Sequence, residues 1–286
     1  MQTEEDRLAH TPIGFLRSSL FAAAERTVVP MLRNQPLETA INCHITASYS
    51  GPRLTQKHAL VWQAVIREHR LRCGIASPEP LCIRQSDLLR AVGRDDVSTP
   101  ARKWIWQKLR DMQSATIELT TPKHNKAVSY QLIGKIAKDE NTGGFEIHLT
   151  SELLLLLTDE LAHIDLDRKL RFKRNQLACW LHDFISTQHN VNFKPFRVRH
   201  LHDLSGSPLK MPQFRQRLRE AADLLKAGDD PLLLDAHITA SGLFVYNKSG
   251  TKVLLKRPEA QPLLDYRHHT LKAEEEALQR RGKVAL

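Results

Sequence analysis

The chain has 286 residues, 41% of them hydrophobic, and carries 42 Lys and Arg against 32 Asp and Glu, a formal net charge of +10. That length fits two domains with cores of their own. The longest apolar run, residues 153–157, is far short of the roughly 20 residues that cross a bilayer, so no membrane span is expected. The surplus of positive charge favours a polyanionic partner, nucleic acid first. Cys43, Cys73, Cys82 and Cys179 form no CxxC pair, which speaks against a zinc site or a disulfide framework and for a reducing, cytoplasmic setting. The first ten residues, MQTEEDRLAH, do not have the pattern of a signal peptide.

Residues 1–38 read as a polar N-terminal arm with one apolar stretch, TPIGFLRSSLFAAAERTVV, at 11–29. A stretch that short does not make its own core. It is a short helix packed on its neighbour, a strap on the main body, or an extended Leu20-Phe21 pair offered to another protein. TAINCHITASYSG, at 39–51, alternates like a strand and runs into the turn signal Ser50-Gly51-Pro52. Leu54, Ala59, Leu60, Trp62, Val65 and Ile66 then recur at helical spacing, with Thr55 as the N-cap. LCIRQ predicts a short strand, and SDLLRAVG a short helix capped by Ser86 and stopped at Gly93. ARKWIWQKLRDMQSA predicts a longer helix, capped by Thr99 with Pro100 in its first turn. TIELTTP, AVSYQLIGKIAKDE and GFEIHL follow as two or three strands joined by polar loops, one of them at 123–126.

The order then repeats with little sequence identity. TSELLLLLTDELAHIDLD enters a helix or strand, and KRNQLACWLHDFISTQ is a helix with Leu177, Trp180, Leu181, Phe184 and Ile185 inward. KPFRV is extended, RHLHDLSG is a short helix stopped by Gly206, and PQFRQRLREAADLLKAG is a long helix ended by Gly228. Residues 231–257 form a hairpin with turn signals at Ser241-Gly242 and Ser249-Gly250, and a tail follows from Pro258. Three helices and a strand pair, twice over, is the order of a winged helix-turn-helix. The expected fold class is therefore α+β: an arm at 1–38, winged-helix domains at 39–150 and 151–257, and a tail at 258–286.

A helix that reads a DNA groove needs an apolar stripe to fix it and Arg, Lys or Gln outward, since Arg pairs with guanine O6 and N7 and Gln with adenine. In the first unit the candidates are Arg102, Lys103 and Lys108 (with Arg110 on the same helix), over an inner face of Trp104, Ile105, Leu109 and Met112. In the second they are Lys210, Gln213, Arg215, Gln216, Arg217 and Arg219, over Phe214, Leu218, Ala221, Leu224 and Leu225. Lys123 and Lys126 in one wing loop, and Lys248 (with Lys252) in the other, are expected on phosphates or in the minor groove. The basic run RKLRFKR, at 168–174, is a phosphate contact or a solvated face. All four tryptophans read as core; Trp106 is the candidate for stacking on a base, because Trp104 takes the inward position.

No catalytic site assembles. His200-Leu201-His202 has the spacing that binds metal from one face of a strand, but on a helix two residues diverge by about 200°. His182-Asp183 reads as a helix-surface pair. There is no GxxxxGK[ST] phosphate loop and no GxSxG elbow. No cofactor and no metal are expected, and the protein is expected not to be an enzyme.

RSSLFAA, ITASYSGPRLTQKHALVWQAVI, EPLCIRQSDLLRAVG and ARKWIWQKLRDMQSATIEL, in that order, resemble the TrfA family of plasmid replication initiators. The likeness extends over residues 12–255 and is strongest in 15–120. It implies two winged-helix domains that bind direct repeats (iterons) at a plasmid origin, help open the neighbouring AT-rich segment and recruit the host initiator and replicative helicase. It also implies copy control through an inactive homodimer, with the monomer active on DNA, and a cytoplasmic, nucleoid- or plasmid-associated location. The slot Arg17-Ser18-Ser19-Leu20-Phe21 is similar to the family's sliding-clamp pentapeptide, with Arg17 and Ser18 where Gln and Leu are usual; Ser19, Leu20 and Phe21 are its partner-binding residues. The competing readings are a dimeric winged-helix transcriptional repressor, distinguished by a palindromic site, and a nicking enzyme using His200 and His202.

Overall fold

The computed structural model describes residues 5–24, 31–39, 46–74, 77–121, 126–139, 142–150, 161–188 and 195–249. At its centre is α2 (Gln56–Cys73), with Ala59, Val61, Trp62, Ala64 and Val65 all out of solvent. A helix that is apolar on most sides has to be covered on most sides, and elements from both parts of the chain cover it. Its N-terminus is closed by an unusual partner, His58, whose Nδ1 accepts the Thr55 N–H at 2.9 Å, the place a Glu or Gln takes in the common capping box.

After α2 come β4 (Leu81–Arg84), α3 (Gln85–Ala91) and α4 (Thr99–Gln113). Relative to the expected Ser86 and Thr99 caps, α3 begins two residues earlier and α4 one, with Arg84 and Ser98 at the N-cap positions. The hairpin of β7 (Lys135–Asp139) and β8 (Gly144–His148) pairs with β4, in the order β4-β8-β7. A separate antiparallel sheet, β2-β3-β5-β6, contains β2 (Met31–Pro36), β3 (Thr46–Pro52), β5 (Thr116–Thr121) and β6 (Lys126–Gln131). The stretch AVSYQLIGKIAKDE is thus two strands in two sheets. Leu132 and Ile133 turn into the core at the break, and the Gly134 N–H donates to the His148 carbonyl at 2.8 Å. Two antiparallel strand pairs therefore follow α4: β5 and β6, on either side of the loop expected at 123–126, with Lys126 opening β6, and β7 and β8, which lie on β4. Lys123 lies outside the described residues.

The second part repeats the arrangement. Following β9 (Leu161–Asp165) and α5 (Leu166–Arg171) are α6 (Gln176–Ser186), β10 (Phe196–Arg197), α7 (Val198–Ser205) and α8 (Met211–Lys226). The hairpin β11 (Leu233–Ile238) and β12 (Leu243–Lys248) gives the sheet β10-β12-β11, the same order as β4-β8-β7. Gly206, at φ +57, closes α7 and makes the turn into α8, a left-handed position that glycine takes without steric cost.

Two hydrophobic clusters fill the interior, one around Trp62, Ile105 and Phe145, the other around Trp180, Phe184 and Phe214. Between them is a buried polar junction. Lys169 ion-pairs with Asp183 and donates to Gln63 Oε1 at 2.8 Å, and Gln63 Nε2 donates to Asp183 Oδ2 at 3.0 Å. Gln63 and Lys169 are 0% exposed and Asp183 1%. Two expectations are corrected here. The basic run 168–174 sends Lys169 inward, because its partners sit on α2 and α6. His182-Asp183 is an interior pair at 3.3 Å.

The N-terminal arm is a strap across both parts. β1 (Leu8–Pro12) pairs antiparallel with β9, leads into the single turn α1 (Ile13–Leu16), and continues along the body. Arg17 Nε donates to Thr187 Oγ1 at 2.9 Å, the Ala22 N–H to the Leu54 carbonyl at 3.0 Å, and the Ala23 N–H to the Ser205 carbonyl at 2.7 Å. Leu20 and Phe21 are only 3% and 2% exposed, and the Phe21 ring lies 5.9 Å from that of Trp62. An extended pair offered to a partner is therefore corrected to a packed one: apolar area is more stable against Trp62 than in water.

Candidate nucleic-acid interface

α8 presents the clearest outward face. Phe214, Leu218, Ala221, Ala222 and Leu225 point inward at three- and four-residue intervals, and this fixes what points out. Lys210, Gln213, Arg215, Gln216, Arg217 and Arg219 are all exposed. Glu220 engages two of them, accepting from Gln216 Nε2 at 3.1 Å and from Arg217 at 2.8 Å. Arg215 reaches the turn between β11 and β12. A Cβ placed on Gly242 (φ +79) would lie 3.2 Å from its guanidinium, so helix and hairpin turn present one surface there.

That turn spans 239–242, with the Gly242 N–H donating to the Thr239 carbonyl at 3.0 Å. Lys248 is at the other end of β12. It is half-buried, and its Nζ donates to the Gln188 carbonyl at 3.2 Å. Burial, with Arg168 near, holds its pKa below the ordinary lysine range. Lys248 is therefore not at the turn: the hairpin turns at Ser241-Gly242, the first of its two glycine signals, eight residues before Ser249-Gly250.

On α4, Ala101, Ile105, Leu109 and Met112 face inward, and Arg102, Lys103, Gln107 and Arg110 outward. Arg102 Nε donates to the Val97 carbonyl at 3.0 Å. Lys108 turns toward α2, its Nζ 3.0 Å from His58 Nε2 and 3.4 Å from Asp111 Oδ2. Burial holds its pKa low, with Asp111 opposing. The spacing of three residues sets it beside Asp111, away from the outward face of Arg102, Lys103 and Arg110. Trp106, the expected stacking residue, stacks on Phe145 with ring centroids 5.7 Å apart. Trp104 and Trp106 are both partly exposed, and Trp104 lies under the Arg94 guanidinium, at 4.1 Å from its ring centre. Arg94 is a residue the sequence pattern passed over; its signal was a basic residue one turn segment ahead of a Trp on the next helix.

On α7, Leu201 is buried while His200 is exposed and His202 is tied to the Leu209 carbonyl at 2.7 Å and packed edge-on to Phe214. Among the described residues no three His, Cys, Asp or Glu side chains gather as a metal-binding group. No described helix is long and apolar enough to cross a membrane.

Among solved structures, the chain is similar to a crystal structure of domains 2 and 3 of RctB, in its selenomethionine form. The TM-score is 0.55 at 13% identity, over 82% of this chain and 96% of that one. A second structure of RctB domains 2–3 aligns with a TM-score of 0.49 at 13% identity, over 79% of this chain and 95% of that one. No family model matches the sequence, and no curated protein does. At this identity the likeness concerns the fold, and its coverage runs across both repeats of the helix-and-hairpin arrangement.

Proposed function

We propose that this chain is a replication initiator that binds double-stranded origin DNA through two tandem winged helix-turn-helix units. The observation that carries the reading is the exposed pair Arg215 and Arg219, one turn apart on α8, with Arg215 beside the β11–β12 turn. A helix held by an apolar stripe, with Arg and Gln outward and a hairpin alongside, has the chemistry to read base edges and hold phosphates together. The +10 charge supports it, as does the fold likeness to RctB, a replication initiator. The repeated sheet order supports two units of one kind.

In its finer form the reading follows the TrfA resemblance. A monomer binds direct repeats, its two units in successive major grooves on one side of the duplex; a homodimer is the inactive form; and bound copies open the origin and recruit the host initiator and helicase. Binding, and no catalysis, is the activity, and it needs no cofactor. Gel shifts on direct repeats, a palindrome and unrelated DNA test it. Preference for direct repeats is expected. Preference for a palindrome would favour a dimeric repressor, and equal binding to all three would end both readings.

A further inference from the structure

The two parts of the molecule meet over a cationic pocket that the outward face of α8 does not explain. It is a cavity of about 530 Å3. Lys57 from the first turn of α2, Arg94 after α3, Trp104 from α4, and Lys173, Arg174 and Gln176 at the start of α6 line it, and no Asp or Glu is among its lining residues. Two of its cations are held in place: Arg94 over the Trp104 ring, and Lys173, which donates to the Gly93 carbonyl. Four cations converging without a carboxylate repel one another, an arrangement that an anion relieves.

The wall adds donors of its own. α6 starts at the pocket, and Asn175 caps it by accepting the Ala178 N–H at 2.9 Å. The N–H groups of its first residues have no acceptor within the helix, and the helix dipole is positive there. Gln176 is 3% exposed, yet its Oε1 has no hydrogen-bond partner among the described residues. An amide oxygen only accepts, so a phosphate gains no hydrogen bond from it; what an anion meets here are the four cations and the N–H groups at the start of α6. We infer that this pocket binds a phosphate group. It rests on the reading above for its source: a backbone phosphate of the DNA passing between α4 and α8, which clamps the duplex to the seam between the two units. A free phosphate compound would use the same chemistry.

The test uses the full chain with Lys57→Gln and Arg174→Gln together. Each phosphate contact contributes about 0.9 to the slope of log affinity against log salt. The double variant should flatten that slope by about 1 on origin DNA and unrelated DNA alike, leaving the ratio between them unchanged. Arg215→Ala serves as control, since it should change the ratio. Titration with inorganic phosphate and with ATP, followed by tryptophan fluorescence and repeated in Trp104→Phe, tests the other source; saturation lost in the double variant would assign the pocket to a free ligand. If wild-type protein binds no DNA, the proposed function fails while the titration still tests the pocket. An unaltered salt slope in a double variant whose Arg215→Ala counterpart is weakened, together with no response to phosphate or ATP, overturns the inference.

Discussion

α4 and α8 occupy the same place in two copies of one arrangement, yet they are built for different work. α8 keeps its polar residues outward; Glu220 engages Gln216 and Arg217, and Asp223 pairs with Lys226 at its end. α4 turns Lys108 toward His58 and Asp111, bonds Arg102 to its own N-terminal turn and commits Trp106 to Phe145. A repeated fold thus does not repeat its surface. If the chain binds DNA as proposed, α8 has the freer outward face for base edges and α4 the more occupied one.

The most forceful way to break that division is at the junction on which both units rest. Lys169→Met should cost about 3–5 kcal/mol in a denaturant melt, because it strands Asp183 in the interior, while Lys169→Met with Asp183→Leu should recover most of the loss. A silent single variant would mean that the two units are stable apart. Next, Arg215→Ala and Arg219→Ala should each weaken specific binding by about 1–3 kcal/mol and relax base preference; unchanged footprints would move the reading surface elsewhere.

Acid should then weaken the fold. Burial holds His182 and His58 below the usual histidine range, against the pull of Asp183 and Asp111. Below about pH 6.5 the unfolded chain therefore takes up protons that the folded chain refuses, and stability drops by up to about 1.4 kcal/mol per pH unit for each. Asp183 extends the loss to lower pH. Burial disfavours its charge, yet Lys169 and His182 keep it below the usual carboxylate range, so its contribution is present above that range and lost beneath it. Melting curves from pH 7.5 to 5.5, with His182→Gln flattening the slope, check this. Lys103→Ala should lower affinity modestly and equally on all sequences, reducing the salt slope by about 1. Least of all, Lys108→Gln should leave DNA binding as it was; a clear loss would restore α4 to the status of α8.

Local signals were legible wherever the deciding contacts were local. Helical spacing found α2, α4, α6 and α8, and Gly206 marked the end of α7. The split of the first unit's strands into two sheets was not legible, because nothing near Leu132 shows that β5 and β6 belong with β2 and β3; that sheet is settled by distant pairing, with Ser48 opposite Glu118. Lys169 looked like any member of a basic run because Gln63, its acceptor, is 106 residues away. The outward row of α8 was visible from its inner stripe, whereas the pocket, assembled from four separate segments, was not.

The strap sets an order of events during synthesis. Arg17 and Thr187 are 170 residues apart, so Arg17 leaves the ribosome long before its partner exists. Until residues 161–205 follow, Leu20 and Phe21 have only part of their final cover, and β1 has no strand to pair with. Contacts of such long sequence separation form late and slowly. The segment is thus made well before it can dock, and its docking reports that the chain has been made as far as Ser205.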